Sequence, residues 1–252
     1  MTITTDFPYP KDSFLTALRD MYAELNGPQS FQPEKAWDGD NWSARAYCSR
    51  GSVLEKAGFS RLHIAGGTIE ETPASLSFLE TIAYPANPCL PGFVIMTNMN
   101  EKQDIGRTVV FYADLIIQNG RPVPEAVAIF SGALQAVCIR FDQDFEELNR
   151  FGAGQGLMGG IAAECGFVYL FQEQDIAFVE ACCNAVLAAY RQILGLVGTA
   201  ATAVFDETQL HRSRARLVEW IIAEDYGIKL ARENGVPMEF IETYAFPAVV
   251  KY

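Results

Sequence analysis

VLEKAGFSRLHIAGGTIEETPASLSFLETIAYPANPCLPGFVIMTNM, residues 53–99, holds three apolar runs at 59–65, 74–83 and 92–99. They are separated by a Gly pair, by an acidic turn and by the three prolines of Tyr84-Pro85-Ala86-Asn87-Pro88-Cys89-Leu90-Pro91. Short apolar runs bounded by turn residues read as adjacent antiparallel strands. This block is therefore expected to be the middle of a sheet.

Working outward, Ala44 to Cys48 reads as a short strand before the block, and Trp37 and Trp42 fall in a polar connection. After the block, Arg107 to Ile117 is apolar and β-branched and ends at Asn119-Gly120, a strong turn signal. The period then changes. Ala126, Val127, Ile129, Phe130, Leu134, Val137 and Cys138 share one side of a helix. Upstream, Asp12 is placed to cap a helix carrying Phe14, Leu15, Leu18, Met21, Tyr22 and Leu25, which Asn26-Gly27-Pro28 stops. Residues 166–171 read as a further strand, 173–197 as the longest helix and 207–224 as another. Gly235-Val236-Pro237 breaks the chain before an aromatic tail with Phe240, Tyr244 and Phe246. The expected fold is an α/β/α sandwich, a central antiparallel sheet flanked by helices. With no repeat or linker in sight, residues 1–252 are expected to form a single domain.

Half of the 252 residues are hydrophobic, enough for a full core. Thirty-one acidic against nineteen basic residues give a net charge of -12, which argues against nucleic acid or an anionic membrane as partner. Glu180, Arg191, Gly195 and Gly198 interrupt the most apolar region, so it is read as a buried helix and not a membrane span. The first residues show neither a basic nor an apolar leader segment, and a cytoplasmic location is expected. Cys48, Cys89, Cys138, Cys165, Cys182 and Cys183 lack CxxC spacing and are read as small core residues.

His63 and His211 lie far apart with no neighbours at ligand spacing, so no metal site is expected. No GxSxG elbow is present for a serine hydrolase. The glycine-rich 152–160 lacks the GK[ST] ending of a phosphate loop and is read instead as a lid or a close approach to a flat ligand. What remains is carboxylates in apolar surroundings: Glu80, Asp114, and Glu219, Glu224 and Asp225 after a basic cluster of Arg212, Arg214, Arg216, Lys229 and Arg232. Asp114 shares its strand side with Tyr112 and Ile116. A buried carboxyl keeps its proton towards neutral pH and can donate it.

The run GSVLEKAGFSRLHIAGG (51–67), with TPAS (72–75) and YPANPCLP (84–91), resembles oxygen-dependent coproporphyrinogen oxidase. So does the C-terminal RARLVEWIIAEDYG (214–227). Gly92 to Met96 stand where that enzyme has His, Asn and Arg. The ferredoxin-dependent bilin reductases and red chlorophyll catabolite reductase, similar to that oxidase in fold, share a proline element ending in Leu-Pro, an Asp-bearing C-terminal helix and an aromatic tail. Here these are Pro85 to Pro91, Asp225 with Lys229 and Arg232, and residues 235–246.

The resemblance implies reduction of a linear tetrapyrrole, a bilin or chlorophyll catabolite, with no bound cofactor, ferredoxin as electron donor and carboxyls as proton donors. Asp225 falls on the family's C-terminal catalytic aspartate and is the first expected proton donor, and Glu80 falls where some members have histidine. The family's strand acid falls on Met96, so that Asp114 or Glu80 takes its role. Arg214, Arg216, His63, Met96 and His211 are the candidate substrate contacts. The alternatives are a cofactor-free, oxygen-dependent oxidase or decarboxylase on the same scaffold, and a non-catalytic tetrapyrrole carrier.

Overall fold

Strand pairing follows sequence order throughout a seven-stranded antiparallel sheet, β1-β2-β3-β4-β5-β6-β7. The strands are β1 (Lys35–Asp38), β2 (Trp42–Ser49), β3 (Leu54–Ile69), β4 (Thr72–Pro85), β5 (Gly92–Lys102), β6 (Gly106–Ile116) and β7 (Tyr169–Gln172). The helices are α1 (Asp12–Asn26), α2 (Pro124–Arg140), α3 (Phe145–Gly154), α4 (Ile176–Leu194), α5 (Glu207–Ala223), α6 (Tyr226–Glu233) and α7 (Met238–Tyr244). The computed structural model describes residues 12–69, 72–102, 106–118, 120–154, 169–196 and 207–249.

Alternation along the long strands divides the core in two. Leu79 and Ala83 on β4, with Phe93 and Ile95 on β5, pack against α1, α2 and α4. Their chain neighbours Phe78, Ile82, Tyr84 and Val94 face the other way, against α5, α6 and α7. The expected α/β/α sandwich is thus the observed one. Both layers are predominantly apolar, and each fully buried Leu or Phe contributes about 1.5–3 kcal/mol over an exposed one.

The first helix starts at Asp12 and ends where a glycine stops it. It buries Phe14, Leu18, Met21 and Tyr22, and Gly27 at φ 88 turns the chain out of it. Asn26 then staples the helix end to β3: its Oδ1 accepts from Leu54 N at 2.9 Å and its Nδ2 donates to Leu54 O at 3.0 Å. The proline turn is equally well held. Asn87 Oδ1 accepts from Cys89 N at 3.0 Å, an Asx turn, and Tyr190 on α4 donates to Pro91 O at 3.1 Å.

Three sequence expectations change. Lys35–Asp38, expected as connection, is an edge strand registered on β2, with Trp37 opposite Ala44; its four residues carry little strand signal, and pairing supplies the order. Trp42 likewise opens β2. The aromatic tail expected after Pro237 is instead the short helix α7, while Asp225, Lys229 and Arg232 lie at and along α6, with Asp225 as its N-cap. The glycine-rich 152–160 begins inside α3; its remainder, Cys165 and the first residues of the 166–171 strand lie outside the described residues.

By length and composition α4 is apolar enough to cross a membrane, but half of it is buried within the fold. Its Phe178, Val179, Cys182, Cys183, Val186 and Tyr190 belong to the core beneath β4–β6. Cys48, Cys138, Cys182 and Cys183 are free and buried, Cys89 free and half-buried. Burial pushes the Cys138 thiol up to about 11 and Cys182 and Cys183 higher still, so these thiols stay protonated and behave as hydrocarbon.

Candidate active site

Register places a row of side chains across the sheet on the face covered by α5–α7: Ser60 opposite Glu80, Glu80 opposite Met96, and Met96 opposite Tyr112. The adjacent row on that face is Gly58, Ile82, Val94 and Asp114. Glu80 is 4% exposed and lies among Phe78, Ile82 and Tyr84 of its own strand. Its Oε2 accepts a hydrogen bond of 2.7 Å from the Tyr244 hydroxyl at the end of α7.

Asp225, also 4% exposed, reaches the same place from the opposite layer. It is the N-cap of α6, where its Oδ1 accepts from Ile228 N at 2.8 Å. Gly227 makes the approach possible, since a Cβ there would meet the Phe78 ring at 2.8 Å. Helix start and sheet therefore meet closely, and two carboxyls share one low-dielectric volume.

The two acids are unlike. Burial, then the neighbouring Asp225 carboxyl, raises Glu80 from 4.5 to about 8, partly offset by the Tyr244 hydrogen bond. Burial raises Asp225 as well, from 3.8 to about 6, but the N–H groups of Ile228 and Gly227 and the Lys229 ammonium hold it down. Like charges this close do not both ionise near neutrality. The pair keeps one proton, and the helix N-terminus favours the anion on Asp225. Glu80 is the acid that stays protonated.

The C-terminal segment is pinned over the site by buried donors. Lys56 Nζ donates to Glu242 O at 2.8 Å and Phe246 O at 2.6 Å, and Tyr84 Oη donates to Ala245 O at 2.6 Å. Burial lowers Lys56 to about 8. Gly58 sits directly beneath: a Cβ there would run into the backbone of Tyr244.

Other expected residues are distributed less compactly. Asp114 is buried on the site face, its Oδ1 accepting from Leu115 N at 2.7 Å and its Oδ2 from Tyr112 Oη at 3.4 Å. Two strand spacings and two residues separate it from Glu80, about 12 Å between Cα positions. Met96 is half-buried beside Glu80.

His63, opposite Ser77, has the parity of Phe59 and faces the α1 layer, away from Glu80. Burial lowers its pKa. His211 lies on α5, 3.4 Å from Glu207. Arg214 is buried, with its guanidinium on Glu55, on Gln118 Oε1 at 3.0 Å and on Val249 O at 3.3 Å. Arg212, Arg216 and Arg232 are exposed, and Lys229 pairs with Glu224 at 3.5 Å. Glu219 and Glu224 point to solvent. Among the described residues no group of His, Cys, Asp or Glu is arranged to hold a metal ion.

Sequence reasoning missed Tyr244, Ser60 and Lys56. Ser60 was findable, because runs 59–65 and 74–83, folded back about the midpoint of the residues between them, pair residue 60 with 79, next to Glu80. A lysine in the apolar VLEKAGF was a second signal, for a buried cation. A scan against protein-family models and a search of curated proteins match nothing.

Proposed function

We propose that this chain is an oxidoreductase that reduces an open-chain tetrapyrrole, taking electrons singly from ferredoxin and delivering protons from Glu80, with Asp225 as its ionised partner. The observation that carries the reading is the buried Glu80–Asp225 pair, which holds one proton near neutral pH between a sheet and a helix start. The resemblance of Pro85 to Pro91, of Asp225 with Lys229 and Arg232, and of residues 235–246 to the bilin-reductase group agrees with it.

The chemistry balances as two electrons and two protons added across one double bond of the bilin, with two ferredoxins oxidised; Glu80 gives the one proton of the pair and is recharged from solvent before it gives the second. Each added electron makes a conjugated tetrapyrrole more basic. A neutral acid in a buried site then protonates it without first drawing a proton from water. Asp225, stabilised as the anion by the α6 N-terminus, faces Glu80 and keeps the transferable proton on it until the reduced pigment becomes the stronger base. Asp114, on the same face, is placed to serve a second position of an extended ligand. Arg212 and Arg216, exposed on α5, supply local positive charge for propionates or for an acidic ferredoxin on a chain that is otherwise strongly acidic.

Titrating the purified chain with biliverdin under argon should shift the pigment's absorbance, and adding reduced ferredoxin should bleach or shift it further. Binding without that second change assigns a carrier. Oxygen uptake with a porphyrinogen and no reductant assigns the oxidase. No spectral change with any linear tetrapyrrole ends the reductase reading.

A further inference from the structure

Tyr244 is delivered to Glu80 with little freedom to move. Its backbone rests on Gly58 without room for a methyl group, its ring packs on Phe240 with centroids 5.2 Å apart, and the surrounding segment is held by Lys56 and Tyr84. A phenol has one hydrogen to donate, and this one goes to Glu80 Oε2 at 2.7 Å. The facing carboxyl, Asp225, has its Oδ1 taken by the Ile228 N–H. The two oxygens of Glu80 are therefore not equivalent.

We infer that Tyr244 is a positioning residue that fixes the transferable proton of Glu80 on Oε1, leaving Oε2 as the carbonyl oxygen that accepts the phenol hydrogen bond. The inference rests on the reading of Glu80 as the proton donor and deepens it: the proton leaves from one defined point. The other titratable groups about Glu80 are Asp225 at the α5–α6 junction and Tyr84 on its own strand, with Lys229 beyond Asp225 and Arg214 and Glu55 beyond Tyr84. Ser60 is its cross-strand neighbour on β3.

Difference infrared spectroscopy of the ligand-free chain reads the proton directly. A protonated-carboxyl band that disappears in Glu80→Gln belongs to Glu80. In Tyr244→Phe the band moves to higher frequency, because its carbonyl oxygen loses a hydrogen bond, and the pH at which it vanishes rises by about one unit, because the carboxylate has lost a donor. A band that stays in place in folded Tyr244→Phe overturns the inference. Should that variant fail to fold, replacing the tyrosines by fluorotyrosine makes the phenol a stronger donor and must move the band to lower frequency; no movement overturns it equally.

The wild-type spectrum separates the positioning role from the bilin chemistry. No Glu80-dependent band below neutral pH overturns both the positioning role and Glu80 as donor. The expected band shift in a chain that does not turn over biliverdin leaves the positioning role standing and removes the bilin reading alone.

Discussion

Leu79 and Glu80 are consecutive residues of one strand, both buried, and they face different worlds. Among the described residues, Leu79 looks into a layer of α1, α2 and α4 whose fully buried groups are mainly hydrocarbon, protonated thiols and hydroxyls such as the Tyr22–Thr81 pair, with His63 only half-buried. Glu80 looks into an equally buried layer that also holds Asp225, Asp114, Lys56 and Arg214. Burying an ionisable group costs several kcal/mol unless it is paired or neutralised. One face of this sheet is built for stability. The other spends some of it on groups able to hold or lose a proton.

The largest test of that contrast is pH. Glu80 and Asp225 have folded pKa values above their unfolded ones, about 8 against 4.5 and about 6 against 3.8. Their contribution is therefore fully present below about pH 4 and is lost as pH rises towards 8. Thermal midpoints should fall across that window by the equivalent of several kcal/mol, and Glu80→Gln should flatten the curve. Lys56 titrates above the window, and any slope from His63 is common to both chains.

Leu79→Ala should break the opposite face, costing about 2–5 kcal/mol through cavity formation. Its stability should keep the wild-type pH dependence. A flattened curve in this variant would mean that the two faces are not independent.

Glu80→Gln preserves shape and most hydrogen bonding while removing the acid. Bilin binding should persist, while single-turnover rates with reduced ferredoxin fall about a hundredfold or more. Asp225→Asn, which keeps a competent N-cap, should lower turnover less and move the basic limb of the pH profile down, because Glu80 no longer faces a negative charge. A larger loss in Asp225→Asn than in Glu80→Gln would reverse their roles.

Charge reversal on α5 is the smallest expected effect on the fold. Arg212→Glu should change stability by no more than about 0.5 kcal/mol but weaken ferredoxin binding and reduce its salt dependence. Arg214→Ala, in contrast, strands Glu55 and should destabilise the chain by about 3 kcal/mol. Equal stability effects at the two positions would contradict the division of the basic cluster.

That division is legible in the amino-acid order itself. Residues 212, 214 and 216 advance about 100° per position on a helix, so 212 and 216 share a face and 214 lies nearly opposite. The strands were legible for a similar reason, since period-two patterning and turn residues act locally. Glu80 announced itself as a carboxylate inside LSFLETIAYP, and Asp225 as an acid following an apolar helix. Their meeting did not, because Glu80 and Asp225 are 145 residues apart and no local pattern encodes which helix start lands on which strand. His63, expected as a substrate contact, shows the reverse error: counting by twos from Phe59 puts it on the face away from Glu80.

Nearest-neighbour strand order has a consequence for how the chain comes to be. Hairpins β2–β3, β3–β4, β4–β5 and β5–β6 join segments adjacent in sequence, and such short closures form early because little entropy is lost in making them. The contacts that seal the carboxyl pair span far longer loops: 159 residues from Arg214 to Glu55, 161 from Tyr84 to Ala245 and 190 from Lys56 to Phe246. On a ribosome the sheet can thus be complete while Glu80 is still wet and ionised. Docking of the last helices then draws a proton from solvent, so that the final step of folding is itself an acid–base reaction.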